Sequence, residues 1–140
     1  MQSKEKDNLI IIRLFSNEDI NKKLIDACKF YNVKTAIIIS GLGQLKKFQL
    51  GYFRKKNNYI IKKFNKPYEL LSLTGNICYQ NDEYILHLHA VLSDENKNTV
   101  GGHLIEGKVE ITNEIALLKT DLEIKRVLEE NSGLKGLILE

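Results

Sequence analysis

The residues with the plainest chemical potential are three histidines, His87, His89 and His103, the only ones in a chain of 140 residues. Two of them lie in the run Tyr84-Ile85-Leu86-His87-Leu88-His89-Ala90. Side chains alternate between the faces of a strand. His87 and His89 therefore share one face, while Leu86, Leu88 and Ala90 share the other and suit a core. Register brings in the third. If Asp94 to Asn98 form a five-residue turn, Ser93 pairs with Thr99 and paired residue numbers sum to 192. Leu92 then faces Val100, Leu88 faces Leu104, and His89 faces His103. A slip of one residue would put His103 on the wrong face. Gly101 and Gly102 suggest a bulge that re-aims His103 or leaves room for a ligand.

Three converging imidazoles suit a divalent metal, zinc first, with a fourth position open to water or a substrate oxygen. Glu69, Glu106 and Glu110 are candidates to support the ligands or to move protons. His89, between the other two in sequence, is expected to matter most to occupancy. The plain alternative is three half-buried sheet histidines with ordinary hydrogen bonds. A lyase or hydrolase built on such a metal would also need a cation for a substrate carboxylate. Arg13, Arg54 and Arg126 are the only arginines, and nothing in the sequence brings them near the histidines.

The rest of the chain must supply the frame. Leu9 to Phe15 predicts a first strand. Ser16 predicts a helix N-cap, with Asp19 as its acidic partner. Ile20, Leu24, Cys28 and Tyr31 mark one face of an amphipathic helix, with Lys22, Lys23, Asp26 and Lys29 pointing away; Asn32 is its stop. The continuous run Val33 to Ser40 predicts a strand buried on both faces, broken by Gly41-Leu42-Gly43. Leu45–Phe53 and Tyr59–Phe64 predict a hairpin. Tyr68 to Tyr79 is extended with Gly75 as a bulge, and Glu83 to Ser93 and Thr99 to Leu104 are strands. Gly107 predicts a bend, with one or two strands over Val109 to Ile124. Residues 1–8 predict a flexible terminus and residues 9–140 a single domain. Many strands, one helix near the N-terminus and tight connections give an α+β class with a largely antiparallel sheet.

Apolar residues make up 43% of the chain, enough for one core, and no stretch approaches the roughly 20 apolar residues of a membrane helix. A cytoplasmic protein is the expectation. Cys28 and Cys78 form no disulfide framework and read as buried thiols. The net charge of +3 is segregated. Between Gln44 and Lys66 stand Lys46, Lys47, Arg54, Lys55, Lys56, Lys62, Lys63 and Lys66, with no acid. The remaining 13 of 21 basic residues face 18 acids, a net of −5. With Phe48, Tyr52, Phe53 and Tyr59 interleaved, this hairpin could track phosphates, or be a solvated face over core aromatics. No motif that reads base edges is evident.

The segments Leu86-His87-Leu88-His89-Ala90-Val91-Leu92-Ser93-Asp94 and Val100-Gly101-Gly102-His103-Leu104-Ile105-Glu106-Gly107-Lys108-Val109 resemble the signature of the prokaryotic PCC/PPC family (plants and prokaryotes conserved domain). Ser40 to Leu45, Tyr68 to Ile77 and Asn113 to Ile115 fit the same pattern. The resemblance implies an α+β fold and a homotrimer. Plant members carry the domain behind AT-hooks in DNA-associated regulators, but the R-G-R-P core of an AT-hook is absent here and plant versions tend to lack the histidines. Prokaryotic stand-alone members are often labelled DNA-binding. The distantly similar fold of acetolactate decarboxylase holds zinc with an H-x-H pair and a third histidine, an analogy that does not transfer the reaction. Three functions stay open: a metal-bearing binding module or enzyme acting on a small molecule, a DNA-binding or regulatory protein, and a structural trimer.

Overall fold

The computed structural model describes Met1 to Leu139; Glu140, the end of the expected domain, lies outside the described residues. Nine strands and one helix follow in the order β1 (Gln2–Lys6), β2 (Leu9–Phe15), α1 (Ile20–Phe30), β3 (Thr35–Lys55), β4 (Asn58–Phe64), β5 (Tyr68–Gln80), β6 (Glu83–Ser93), β7 (Thr99–Thr120), β8 (Ile124–Leu128) and β9 (Lys135–Leu139). All pairings are antiparallel. The main sheet has seven strands in the order β1-β2-β7-β6-β5-β3-β4, and β8 and β9 form a separate ribbon. An added β7–β3 pairing closes the path β3-β7-β6-β5 on itself. No helix among the described residues is long and apolar enough to cross a membrane.

Two long strands organise everything else. β3 lies between β5 and β7 in its first half and between β4 and β7 in its second. β7 lies between β6 and β3, then between β2 and β3. Alternation in β2 buries Ile10, Ile12 and Leu14, and α1 adds Ile20, Leu24, Ala27 and Cys28 to the same core. Full burial of each large side chain stabilises the fold by roughly 1.5–3 kcal/mol. Burial also pushes the Cys28 thiol up to about 12, and Cys78 is likewise buried.

Several expectations change. Residues 2–6 are not a flexible terminus: they pair with β2 from Gln2↔Arg13 to Lys6↔Leu9. The two-residue turn Asp7-Asn8, with Asp7 at φ 54°, closes this hairpin, a conformation that Asp tolerates. Ser16 does not cap the helix. Asn17 turns at φ 69°, Glu18 Oε2 accepts from Phe15 N, and Asp19 Oδ1 accepts from Lys22 N at 3.0 Å. The cap therefore shifts to Asp19. Asn32 does stop the helix region in the left-handed conformation (φ 50°).

Gly41 and Gly43 do not break β3. A Cβ at Gly41 would stand 2.6 Å from Leu73 Cβ, so this glycine marks close packing of a continuing strand. Gly107 lies within β7, at the register shift where Lys46 pairs with Lys108 and Gln49 with Glu106. Nor is the Ile37–Ile39 stretch buried on both faces. Ala36 and Ile38 are buried, while Ile37 and Ile39 are 37% and 53% exposed. Ile37 is opposite Leu118 on β7, which is opposite Leu9 on β2, giving an exposed apolar row across three strands.

Gly75 is not at a bulge; the shift in β5 falls between Leu70 and Ser72. It pairs with Leu88 at φ 149°, and a Cβ there would stand 2.0 Å from the carbonyl oxygen of His87. Gly75→Ala therefore combines a strained backbone with a backbone clash. It should destabilise the protein by about 2 kcal/mol or more, measured as a lower denaturation midpoint with the slope unchanged.

Candidate metal centre

The β6–β7 hairpin has the register that apolar alternation requires: Ser93↔Thr99, Leu92↔Val100, Val91↔Gly101, Ala90↔Gly102 and His89↔His103. Its turn is held by Asp94, whose Oδ1 accepts from the backbone N–H of Asn96 and of Asn98, each at 2.9 Å. Leu88, Ala90 and Leu92 are buried on the opposite face. Leu88 and Leu92 alone supply roughly 3–6 kcal/mol against a slip. The ladder runs through Gly101 and Gly102 without a shift, so the expected bulge is absent. Beyond His103, β7 leaves β6 for β3, and Leu104 pairs with Leu50 instead of Leu88.

The three imidazoles meet. Their ring centroids are 5.1 Å (His87–His89), 5.4 Å (His87–His103) and 5.5 Å (His89–His103) apart. One ring nitrogen from each lies within 4.8 Å of the others. Zinc–nitrogen bonds of 2.0–2.1 Å separate tetrahedral nitrogen ligands by about 3.3 Å. Small imidazole rotations close the difference, so the residues fit a nitrogen-ligated divalent ion. The triangle is nearly equilateral, and His89 therefore holds no central place. His87 and His103 are half-buried and His89 is exposed.

Electrostatics keep two of the rings neutral. Burial holds His87 below the usual histidine range, with help from the Arg126 guanidinium and His89. Burial lowers His103 in the same way, with His87, His89 and Arg126 adding to it. Neutral imidazole is the form a metal needs.

Sequence reasoning missed Arg126. It lies on β8, yet its Nη2 is 3.2 Å from His87 Nδ1 and donates to Asn76 Oδ1 at 2.6 Å. Nη1 donates to the Lys135 carbonyl at 3.1 Å. Gln80 anchors the backbone of Arg126 as a strand partner would: Oε1 accepts from Arg126 N at 2.7 Å and Nε2 donates to Arg126 O at 3.1 Å. Asn76 is directly opposite His87 on β5. No sequence pattern around Arg126 says where the ribbon docks.

A cavity of about 890 Å³ opens beside the histidines, walled by β3, β4, β6, β7 and the β8–β9 ribbon. Tyr59 lies edge-on to His103, with centroids 6.3 Å apart. Gly51, opposite His103, makes room for it: a Cβ there would stand 2.2 Å from the Tyr59 ring.

The expected glutamates are elsewhere; none of the three lines this cavity. Glu69 accepts from Gln44, Glu106 accepts from Gln49, and Glu110 pairs with Lys46 at 2.5 Å. Glu129 is the carboxylate in the cavity wall. The basic residues do cluster on the β3–β4 hairpin, but on both of its faces. Lys62 and Lys63 are adjacent in β4 and so point opposite ways. Lys62 covers the Phe64 ring at 5.2 Å, and Lys56 donates to the Glu130 carbonyl. Lys47, Arg54, Lys55, Lys63 and Lys66 are exposed. Phe48 is a core residue stacked on Phe64, Tyr52 is exposed, and Phe53 and Tyr59 line the cavity.

Comparison with known proteins places this geometry in a family. A candidate DNA-binding protein from Bacteroides thetaiotaomicron superposes with a TM-score of 0.92 at 26% identity, over 99% of this chain and 96% of that one. A plant- and prokaryote-conserved (PPC) protein from Pyrococcus horikoshii does so with a TM-score of 0.81 at 28% identity, over 99% and 96%. A metal-containing protein from Archaeoglobus fulgidus, at 24% identity and a TM-score of 0.84 over 96% and 95%, shares the fold. Among curated proteins, the bifunctional protein GlmU of Synechococcus sp. (strain JA-3-3Ab) is 25% identical over 114 residues. That match takes in 81% of this chain and only 17% of the relative. The family model for the Plants and Prokaryotes Conserved (PCC) domain matches residues 1–121, and the chain belongs to that family.

Proposed function

We propose that this PCC-domain protein binds one divalent metal ion per subunit, zinc first, through His87, His89 and His103, and uses it to hold a small molecule in the adjoining cavity. The observation that carries the reading is the convergence of three ring nitrogens within 4.8 Å at the edge of a cavity of about 890 Å³. The metal would supply Lewis-acid polarisation of an oxygen at an open position. Asn76 holds Arg126 beside His87, the Tyr59 ring flanks His103, and the apolar wall limits water. Whether the bound molecule is turned over, as by a lyase or hydrolase, is the second half of the same reading.

Untagged protein refolded with zinc at pH 7.5 should retain one zinc per chain after desalting. Each single His→Ala variant should lower zinc affinity to a similar extent, because the triangle is equilateral, and the triple variant should abolish binding. Stoichiometric zinc in the triple variant would place the ligands elsewhere. Acid should release the metal, with occupancy falling below about pH 6. The sign for the metal-free fold is the same. Unfolded histidines take protons near pH 6.5, whereas His87 and His103 resist them in the fold. Stability is therefore lost as pH falls below about 6.5.

A regulatory, DNA-binding role is the second reading, favoured by the charge segregation of residues 44–66. Base contacts are not evident, so binding would be electrostatic and weakly selective. Replacing Arg54, Lys55 and Lys56 by Ser should weaken duplex binding and flatten its salt slope by about 0.9 per lost phosphate contact. Absence of duplex binding by the unaltered protein at about 50 mM salt, where electrostatic binding is strong, removes this reading.

The assembly we propose is a homotrimer, as the family resemblance implies. The exposed row of Leu9, Leu118 and Ile37 supports it, since contiguous exposed apolar surface usually marks an interface. Light scattering should give the mass of three chains, and Leu118→Lys should shift it toward one; a monomeric unaltered protein refutes the assembly.

A further inference from the structure

We propose that Arg126 makes the cavity beside the histidines a subsite for a small organic carboxylate. This deepens the metal-pocket reading, because it assigns a ligand class to the same cavity.

Arg126 carries a charge that no carboxylate among the described residues compensates. Arg126 is only 7% exposed. A buried guanidinium ordinarily sits against a carboxylate, since isolated charge is costly to remove from water. Among the described residues no carboxylate forms an ion pair with Arg126. Its partners are all neutral: the Lys135 carbonyl, Asn76 Oδ1, His87 Nδ1 and the buried Cys78 thiol, whose pKa burial raises. Its Nε–H is buried with no hydrogen-bond partner. A guanidinium has five N–H donors in a planar fork that matches a carboxylate. Oxygen and nitrogen acceptors take three of them and the Cys78 thiol lies against the guanidinium, so none meets an anion.

The surroundings select the anion. Arg126, Lys135 and Glu129 are the charged residues lining the cavity, two positive and one negative, a net of +1. Glu129 does not neutralise Arg126; its Oε2 accepts from Ser132 Oγ at 3.2 Å. The remaining wall is largely apolar or aromatic, including Tyr52, Phe53, Tyr59, Ile85 and Leu137. An inorganic anion would leave that wall unused, whereas an organic acid fills both parts. The volume is in the range of small-molecule sites. Arg126, Lys135 and Leu137 all lie beyond residue 121, where the family match ends. The carboxylate-holding wall is thus supplied by the β8–β9 ribbon.

Benzoate, its neutral isostere benzamide, and inorganic phosphate serve as probes, titrated calorimetrically at pH 7.5 into zinc-loaded and into metal-free protein. Benzoate should bind both forms at least tenfold tighter than benzamide or phosphate. Arg126→Gln should lower benzoate affinity at least tenfold while zinc stoichiometry stays at one. A wild-type NMR titration avoids dependence on that variant's folding: benzoate, but not benzamide, should shift the Arg126 Nε–H resonance. Equal affinity for benzoate and benzamide, no shift of that resonance, or unchanged benzoate affinity in folded Arg126→Gln would each overturn the assignment. Tighter phosphate than benzoate binding would overturn the organic part of it. Failure of the metal reading is separate: it shows as absent zinc, with benzoate binding still measurable on metal-free protein.

Discussion

The register of β6 against β7 is the constraint on which the site depends. His89 and His103 are opposite each other because Ser93 pairs with Thr99, and the Asp94-centred turn admits that pairing. The histidines do not themselves hold the register. Leu88, Ala90 and Leu92 do, from the buried face, through apolar burial that a one-residue slip would forfeit. Three groups with no stabilising attraction for one another are thus brought together by packing on the far side of the sheet. A binding site can be conserved in geometry by residues that never touch its ligand.

The same packing creates an electrostatic tension. Three imidazoles and a guanidinium share one corner, and each protonation would add like charge. Burial and Arg126 push the acid–base balance of His87 and His103 toward the neutral ring. That favours coordination of a cation at the imidazoles even though Arg126 is itself a cation. The guanidinium is held by Asn76 Oδ1 and the Lys135 carbonyl, and Gln80 holds the Arg126 backbone, so its position is set by the ribbon and β5. A guanidinium held by neutral acceptors before anything binds loses little freedom on meeting an anion.

Close backbone approach is the third element. Gly75 lets β5 lie against the His87 carbonyl, and Gly51 leaves the space that the Tyr59 ring takes beside His103. Both glycines flank the cross-strand rows that carry the histidines: Asn76 with His87, and Thr74 with His89, His103 and Gly51.

Sequence alone determined what depends on local periodicity. Alternation put His87 and His89 on one face, apolar matching set the 192-sum register, and the Ile20–Leu24–Cys28 spacing marked the helix. These are short-range rules with a single solution. It failed where a residue type has two meanings. Gly41, Gly75 and Gly101 were read as breaks or bulges but sit inside strands with no register shift at those positions, because a glycine admits close packing as readily as a bend. Polar residues 2–6 became a strand because an edge needs hydrogen bonds more than it needs apolar side chains. Tertiary structure alone decided which charges meet. Glu69, Glu106 and Glu110 pair away from the histidines, while Arg126, 23 residues beyond His103 in the chain, arrives at His87 on a ribbon docked through Gln80. No periodicity encodes that encounter, because it depends on where two separately folded sheets touch.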